Sequence, residues 1–411
     1  MGIKLGLVGL GSFGSCFAPL FASHPLVDGI VLCDAEESKL ERWANDPVVS
    51  AKLIKGGCYT SLDDLCKERK CDAVVIITQP WLHAPQCIQV MEAGMDVYSA
   101  VPVISLPDDE EILDWCGRII DASVRTGKHY MLGETTIYRP QTQFCRRKAL
   151  AGEFGNFVFA EAEYAHDVDS ASCSLRKVQA SRTTGKVGSE HAAFIKKYID
   201  RGCKSHPMSY PTHSVSGPIY VMDTKATKVS AYGTKPQFEN DPFFTNSDFS
   251  NIVAFYQLAN GCSLRVAELR EISSNTGLMG EDFRIFGTRG SYSYNDWRDN
   301  GRVELSFEPR ANKSTKLTDK EMFDSLPEEV ATAFLHALNK DAKPGDDFVP
   351  SGHGGSHPYL VHEFVSSVAE GRRPVIDAWK AASYMAMGVA AHKSACKDGE
   401  IVPVFDFGDP R

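Results

Sequence analysis

The 411-residue sequence predicts a doubly wound parallel α/β domain followed by an α+β domain built on a large, mostly antiparallel open sheet. Three observations point there. Strand-like and helix-like runs alternate up to about Tyr138, a glycine-rich turn links the first strand to the first helix, and beyond Tyr138 short strand-like runs succeed one another with few helices between. The length exceeds what one ordinary core accommodates, so two domains are expected, 1–138 and 139–411, with the C-terminal helices packing back on the first.

In the first domain the strand candidates are Lys4–Val8, Gly29–Cys33, Ala73–Thr78, Asp96–Ala100 and His129–Gly133, apolar runs bounded by Gly, Asp, Pro or polar residues. Helical stretches fall between them at Phe13–Phe21, Ser38–Ala44, Pro85–Ala93 and Asp108–Ser123, the last entered through Pro107 and Asp108. Parallel strands need such crossovers. The second domain offers strands at Phe157–Tyr164, Lys228–Gly233, Ile252–Gln257, Ser263–Leu269, Asp282–Phe286 and Ser291–Tyr294. The stretch Ala171–Pro218, rich in Ser, Lys, His, Gly and Pro, reads as a loop-and-helix insertion with an apolar period only over Ala192–Ile199. Helices Pro358–Ala369 and Ala378–Ser394 follow near the end.

Composition narrows the function. A formal charge of −9 without a Lys/Arg stripe argues against nucleic acid and anionic membrane as partners. No apolar run reaches the roughly 18 residues of a bilayer-spanning helix. Twelve scattered cysteines, no Cys-x-x-Cys pair and no export signal predict reduced thiols and a cytoplasmic protein.

Gly9-Leu10-Gly11-Ser12-Phe13-Gly14 follows the first strand directly and opens a helix. In that context the first glycine permits the tight turn, the second admits a pyrophosphate to the backbone, and the third lets helix and strand pack closely. Twenty positions on, Asp34 ends the second strand, where a carboxylate accepts from the ribose hydroxyls and repels a 2′-phosphate. The first domain therefore reads as a Rossmann domain for NAD, in preference to NADP.

Ile77-Thr78-Gln79-Pro80-Trp81-Leu82-His83 and Ala93-Gly94-Met95-Asp96-Val97 resemble the Gfo/Idh/MocA oxidoreductase superfamily, and the resemblance runs in order along the chain. It implies that Thr78, Gln79, Pro80 and His83 lie against the cofactor, as do Ala100, Val101 and Pro102, and that Glu134 approaches the nicotinamide. Most oxidoreductases of the superfamily carry Glu-Lys-Pro where this chain has Ala100-Val101-Pro102. Valine relays no proton, so the acid/base lysine is absent from its place. Tyr210-Pro211-Thr212-His213-Ser214-Val215-Ser216-Gly217-Pro218 is similar to a Tyr-Pro-Thr-His segment of the superfamily's NAD-dependent glycoside hydrolases, of the α-N-acetylgalactosaminidase type, and Gly352-His353-Gly354-Gly355 resembles them too. That likeness implies oxidation of a sugar C3 hydroxyl, elimination of the aglycone through the acidified C2 proton, hydration and re-reduction, with His213 and Tyr210 as acid/base candidates.

Tyr164, His166 and Asp167 close a strand at the sheet face that roofs the cofactor and are substrate-pocket candidates, with Tyr138 and the loop residue His353. Arg139 reads equally as an interdomain ion pair. His353, His357 and His362 fall within ten positions, but no cysteine or carboxylate completes a familiar ligand set, and no metal is expected. The leading reading is an NAD-dependent oxidoreductase acting on a ring carbinol of a carbohydrate or glycoside. A redox-neutral glycosidase is the alternative, and a non-catalytic dinucleotide or sugar sensor a third. The expected partners are a small sugar or glycoside and a second copy of the chain through the second-domain sheet.

Overall fold

A computed structural model describes residues 2–170, 174–182, 185–238, 240–273, 280–299, 313–339, 341–343 and 346–410. The first sheet contains β1 (Ile3–Val8), β2 (Val27–Cys33), β3 (Leu53–Tyr59), β4 (Ala73–Ile76), β5 (Asp96–Ala100) and β6 (Tyr130–Gly133). All pairings are parallel and the order is β3-β2-β1-β4-β5-β6. Strand order reverses between β1 and β4, and this switch point opens the crevice in which such sheets bind ligands. β3 escaped the sequence reading because Lys55, Gly56 and Gly57 interrupt its apolar pattern at the sheet edge.

The helix Asp109–Thr126 begins where Asp108 accepts from the amides of Glu110 and Glu111, both at 3.1 Å, and stops at Gly127 with φ +67°. The helix Gly14–Ser23 buries Phe17, Leu20 and Phe21. Phe21 meets Tyr98 and Phe364 edge-on at 6.1 and 6.2 Å, tying the dinucleotide half to the helix His357–Glu370.

The second sheet comprises β7 (Phe157–Ala165), β8 (Ala226–Thr234), β9 (Asn251–Leu258), β10 (Ser263–Leu269), β11 (Gly280–Gly287), β12 (Gly290–Ser293), β13 (Asp296–Asp299), β14 (Lys313–Lys316) and β15 (Val402–Pro403). The order is β14-β13-β12-β11-β7-β10-β9-β8-β15, antiparallel except for β7 against β10. Tyr292 and Trp297 are buried in its core.

The loop-and-helix insertion expected over Ala171–Pro218 is, among its described residues, more helical than its one apolar period suggests. The described part holds helices Leu175–Arg182, Gly185–Asp200 and Thr212–Met222, and the last is buried almost throughout, packing on β7 and β11. Its Ser, Thr and Gly residues look like loop, yet small side chains are what let it approach the sheet. A Cβ on Gly217 would stand 3.1 Å from the Phe283 ring and 3.2 Å from Thr136. The helix Ala378–Ala395 packs against both the helix Asp109–Thr126 and β8.

Candidate active site

The glycine turn is shaped by close approaches. Gly9 has φ +88°, and a Cβ there would lie 2.2 Å from the Ile77 carbonyl oxygen. One on Gly14 would lie 2.0 Å from the Gly9 oxygen, whereas one on Gly11 meets no protein atom within 4 Å. The first and third glycines are thus demanded by the protein's own packing, and the second borders open space at a helix N-terminus, where a pyrophosphate fits. Asp34 accepts from the Leu10 amide at 2.8 Å and the Glu36 amide at 3.0 Å, which fixes its carboxylate beside the turn. Phe13 packs edge-on against Phe17 and His353 at 5.2 and 5.3 Å, and the Ser12 carbonyl accepts from Ser15 Oγ at 2.7 Å.

After β4, Thr78 Oγ1 donates to Gln86 at 2.5 Å, Gln79 caps a short turn and Pro80 begins it. His83 lies beneath this turn, 1% exposed, with its ring nitrogens 2.9 Å from the Pro102 carbonyl and 3.3 Å from that of Thr78. It joins the two loops that border the crevice. Ala100 and Val101 are buried at the end of β5, and the Val101 carbonyl accepts from Tyr210 Oη at 3.2 Å.

The chemically richest cluster sits where the two domains meet. His213 Nδ1 is 2.8 Å from Glu134 Oε1 and 3.6 Å from Glu281 Oε2. Glu281 receives Thr136 Oγ1 at 2.5 Å and pairs with Arg139 at 2.8 Å, while Glu134 also takes the Thr136 amide at 2.9 Å. Burial opposes the charged imidazole, but Glu134 and Glu281 overcome it and raise His213 to about 9. Burial likewise opposes the Glu134 carboxylate, and His213 overrides it, holding the group well below its ordinary value. At neutral pH the site therefore presents an imidazolium on the Glu134 carboxylate, with Glu281 and Arg139 beside it. Behind it, Ser214 Oγ donates to Glu268, which burial raises to about 7 against the opposing pull of Arg270.

The Tyr164 and Tyr210 rings stand 5.0 and 5.1 Å from that of His213, so both tyrosines gather around it. Tyr164 Oη lies 2.5 Å from His166 Nδ1, and the Arg270 guanidinium covers the Tyr164 ring at 4.4 Å. Asp167 accepts from the Asp169 amide at 2.9 Å and closes a local turn. The Tyr138 ring packs against both cores and its hydroxyl is buried. His353, at φ +42°, is 2.9 Å from His357, while His362 pairs with His24 at 3.1 Å, so the three histidines do not converge on one point.

Glu281 and Glu268 were missed by the sequence reading, although a signal existed. Glu281 is in phase with the inward Phe283 and Ile285, and Glu268 with Leu264 and Val266, so a period-two pattern already places a carboxylate on each buried face.

Fold and crevice together define a dinucleotide-binding Rossmann protein. Residues 3–131 match the Gfo/Idh/MocA model, described as an oxidoreductase family with an NAD-binding Rossmann fold, and the first domain is of this type. The chain is also similar to glycosyl hydrolase family 109 proteins. It is 25% identical to one from Streptomyces filamentosus over 98% of this chain and 77% of that protein. It is 30% identical to the α-N-acetylgalactosaminidase of Shewanella oneidensis, over 40% of this chain and only 36% of that protein's length. Among solved structures, levoglucosan dehydrogenase in complex with NADH shares the fold at 16% identity, with a TM-score of 0.71 over 99% of this chain and 100% of that one. Among the described residues no helix is long and apolar enough to cross a membrane.

Proposed function

We propose that this protein is an NAD-dependent carbohydrate enzyme that moves hydride at a ring carbinol carbon, with His213 and Tyr210 managing protons. The observation that carries the reading is the pairing of the glycine crevice with a buried His213 held between Glu134 and Glu281. Bound NAD would supply the hydride acceptor. Gly9 to Gly14 would hold its pyrophosphate and Asp34 its ribose, the carboxylate favouring NAD over NADP. Thr78, Gln79, Pro80 and the Ala100-Val101-Pro102 loop would border it. His213, as imidazolium, polarises a sugar oxygen or delivers a proton, and Tyr210, tethered to Val101, orients its neighbour's access. Tyr164, His166 and His353 would frame the sugar.

After oxidation, either the ketone leaves or the aglycone is eliminated, water adds and hydride returns. Val101 in the place of a relay lysine, together with similarity to family 109 proteins along most of the chain, favours the redox-neutral course. All eleven described cysteines are free, which supports the cytoplasmic reading. The outer sheet face, with Phe255 exposed beside Arg265 and Glu161, supports pairing with a second copy.

The test incubates the protein with NAD and aryl glycosides in deuterated water. The expected result is aglycone release with deuterium entering at C2. Release without C2 exchange overturns the elimination course, and net NADH without release returns the plain oxidoreductase.

A further inference from the structure

A second histidine cluster lies away from the crevice, where three parts of the chain meet. His392, in the last turn of the helix Ala378–Ala395, has Nδ1 2.7 Å from Asp109 Oδ2. Its Nε2 is 3.3 Å from Cys396 Sγ, one turn on, and 3.4 Å from Asp248 Oδ2 in the loop before β9. The Nε2, thiol and carboxylate atoms all lie within 4.8 Å of one another. His206 stacks on the His392 ring, centroids 3.5 Å apart and planes 4° from parallel, and its Nε2 is 3.1 Å from the other oxygen of Asp109.

The proton positions give this cluster its meaning. Asp109 is the more buried of the two carboxylates and the closer to His392, so it holds the Nδ1 proton. The Nε2 lone pair then faces a carboxylate and a sulfur, three electron-rich atoms with no proton of their own to share except the thiol's. A divalent cation bound between them would take the place of the thiol proton. Zinc bonds of about 2.0 Å to nitrogen and oxygen and about 2.3 Å to sulfur set tetrahedral edges of roughly 3.3 to 3.5 Å, and the two separations from Nε2, 3.3 and 3.4 Å, are of that size. A histidine that ligates through one nitrogen while donating the other to a carboxylate is the usual way a protein fixes such a ligand. The site also sits at a helix C-terminus, where positive charge is favoured. Cys396 is exposed and Asp248 partly so, leaving an entry path and a position for water. Lys204, 3.2 Å from Asp248, is half-exposed and can swing into solvent.

We propose that Asp248, His392 and Cys396 bind a zinc-like divalent cation, with Asp109 and His206 orienting His392. The cation would tie the end of the C-terminal helix to the second sheet and, through Asp109, to the dinucleotide domain. Binding releases the Cys396 proton to solvent as the thiolate forms its bond to the metal.

Cobalt is the probe. Protein stripped with a chelator is titrated with Co2+ in a Cys16→Ser/Cys58→Ser background, which removes the other exposed thiols among the described residues. One equivalent should produce thiolate-to-cobalt charge-transfer absorbance, lost in Cys396→Ser. Asp109→Asn should weaken binding about 10- to 100-fold through disorientation of His392. Absence of the band in the background protein, or its persistence in Cys396→Ser, overturns the proposal. Should Cys396→Ser fail to fold, Asp248→Asn at a partly exposed position decides, and unchanged cobalt affinity there overturns it equally.

Discussion

The glycine crevice and the His213 cluster adjoin one another but are made in opposite ways. The crevice is backbone and empty space: Gly9 and Gly14 hold the turn closed, and Gly11 leaves room. The cluster is charge: two buried carboxylates, an imidazolium and a guanidinium from Arg139, each needing the others to stay ionised out of water. A change of shape should therefore damage cofactor binding, and a change of charge should damage proton handling while leaving the cofactor in place.

Gly11→Val tests the first half and should have the largest effect. No protein atom lies within 4 Å of its added Cβ, so folding should hold while calorimetry finds NAD affinity lost. Retained affinity would break the comparison, for it would mean the open space is not the cofactor's.

His213→Asn tests the second half. Turnover should fall about 10²- to 10⁴-fold, the usual worth of a general acid or base, with NAD affinity within about twofold of the parent. A matching loss of NAD affinity would merge the two regions into one.

Glu134→Gln sharpens it. A raised histidine is charged below its folded value, so activity that needs the imidazolium is level at low pH and falls as pH rises through about 9. Its contribution to stability follows the same sign, fully present below the ordinary histidine range and lost through about 9. Removing the Glu134 charge should move the basic limb of the pH profile to lower pH. An unmoved limb would assign it to another group.

The smallest effect is expected of Tyr164→Phe. Losing the bond to His166 should cost about 0.5–1.5 kcal/mol in kcat/KM, with the pH limb in place.

These two regions also differ in how far the sequence disclosed them. The glycine turn and Asp34 are local, 26 residues from first to last, and their spacing alone carries the physics. The alternation of strands and helices made the first sheet legible apart from glycine-broken β3, and successive strand-like runs made the second legible apart from its short edge strands. The His213 cluster draws Glu134, His213 and Glu281 from three distant segments, and local patterning records no such meeting. His213 itself was found through its Tyr-Pro-Thr-His setting, while Glu281 showed only as a carboxylate in phase with buried aromatic and aliphatic neighbours.

The central claim is that NAD stays bound and is used again at each turnover. Load the protein with one equivalent of NAD, remove the excess by gel filtration, and supply a cleavable aryl glycoside while following aglycone and the reduced-nicotinamide absorbance. The account predicts many aglycones released per bound NAD with no accumulating NADH. One NADH formed per product, with turnover stopping until fresh NAD is added, would contradict it.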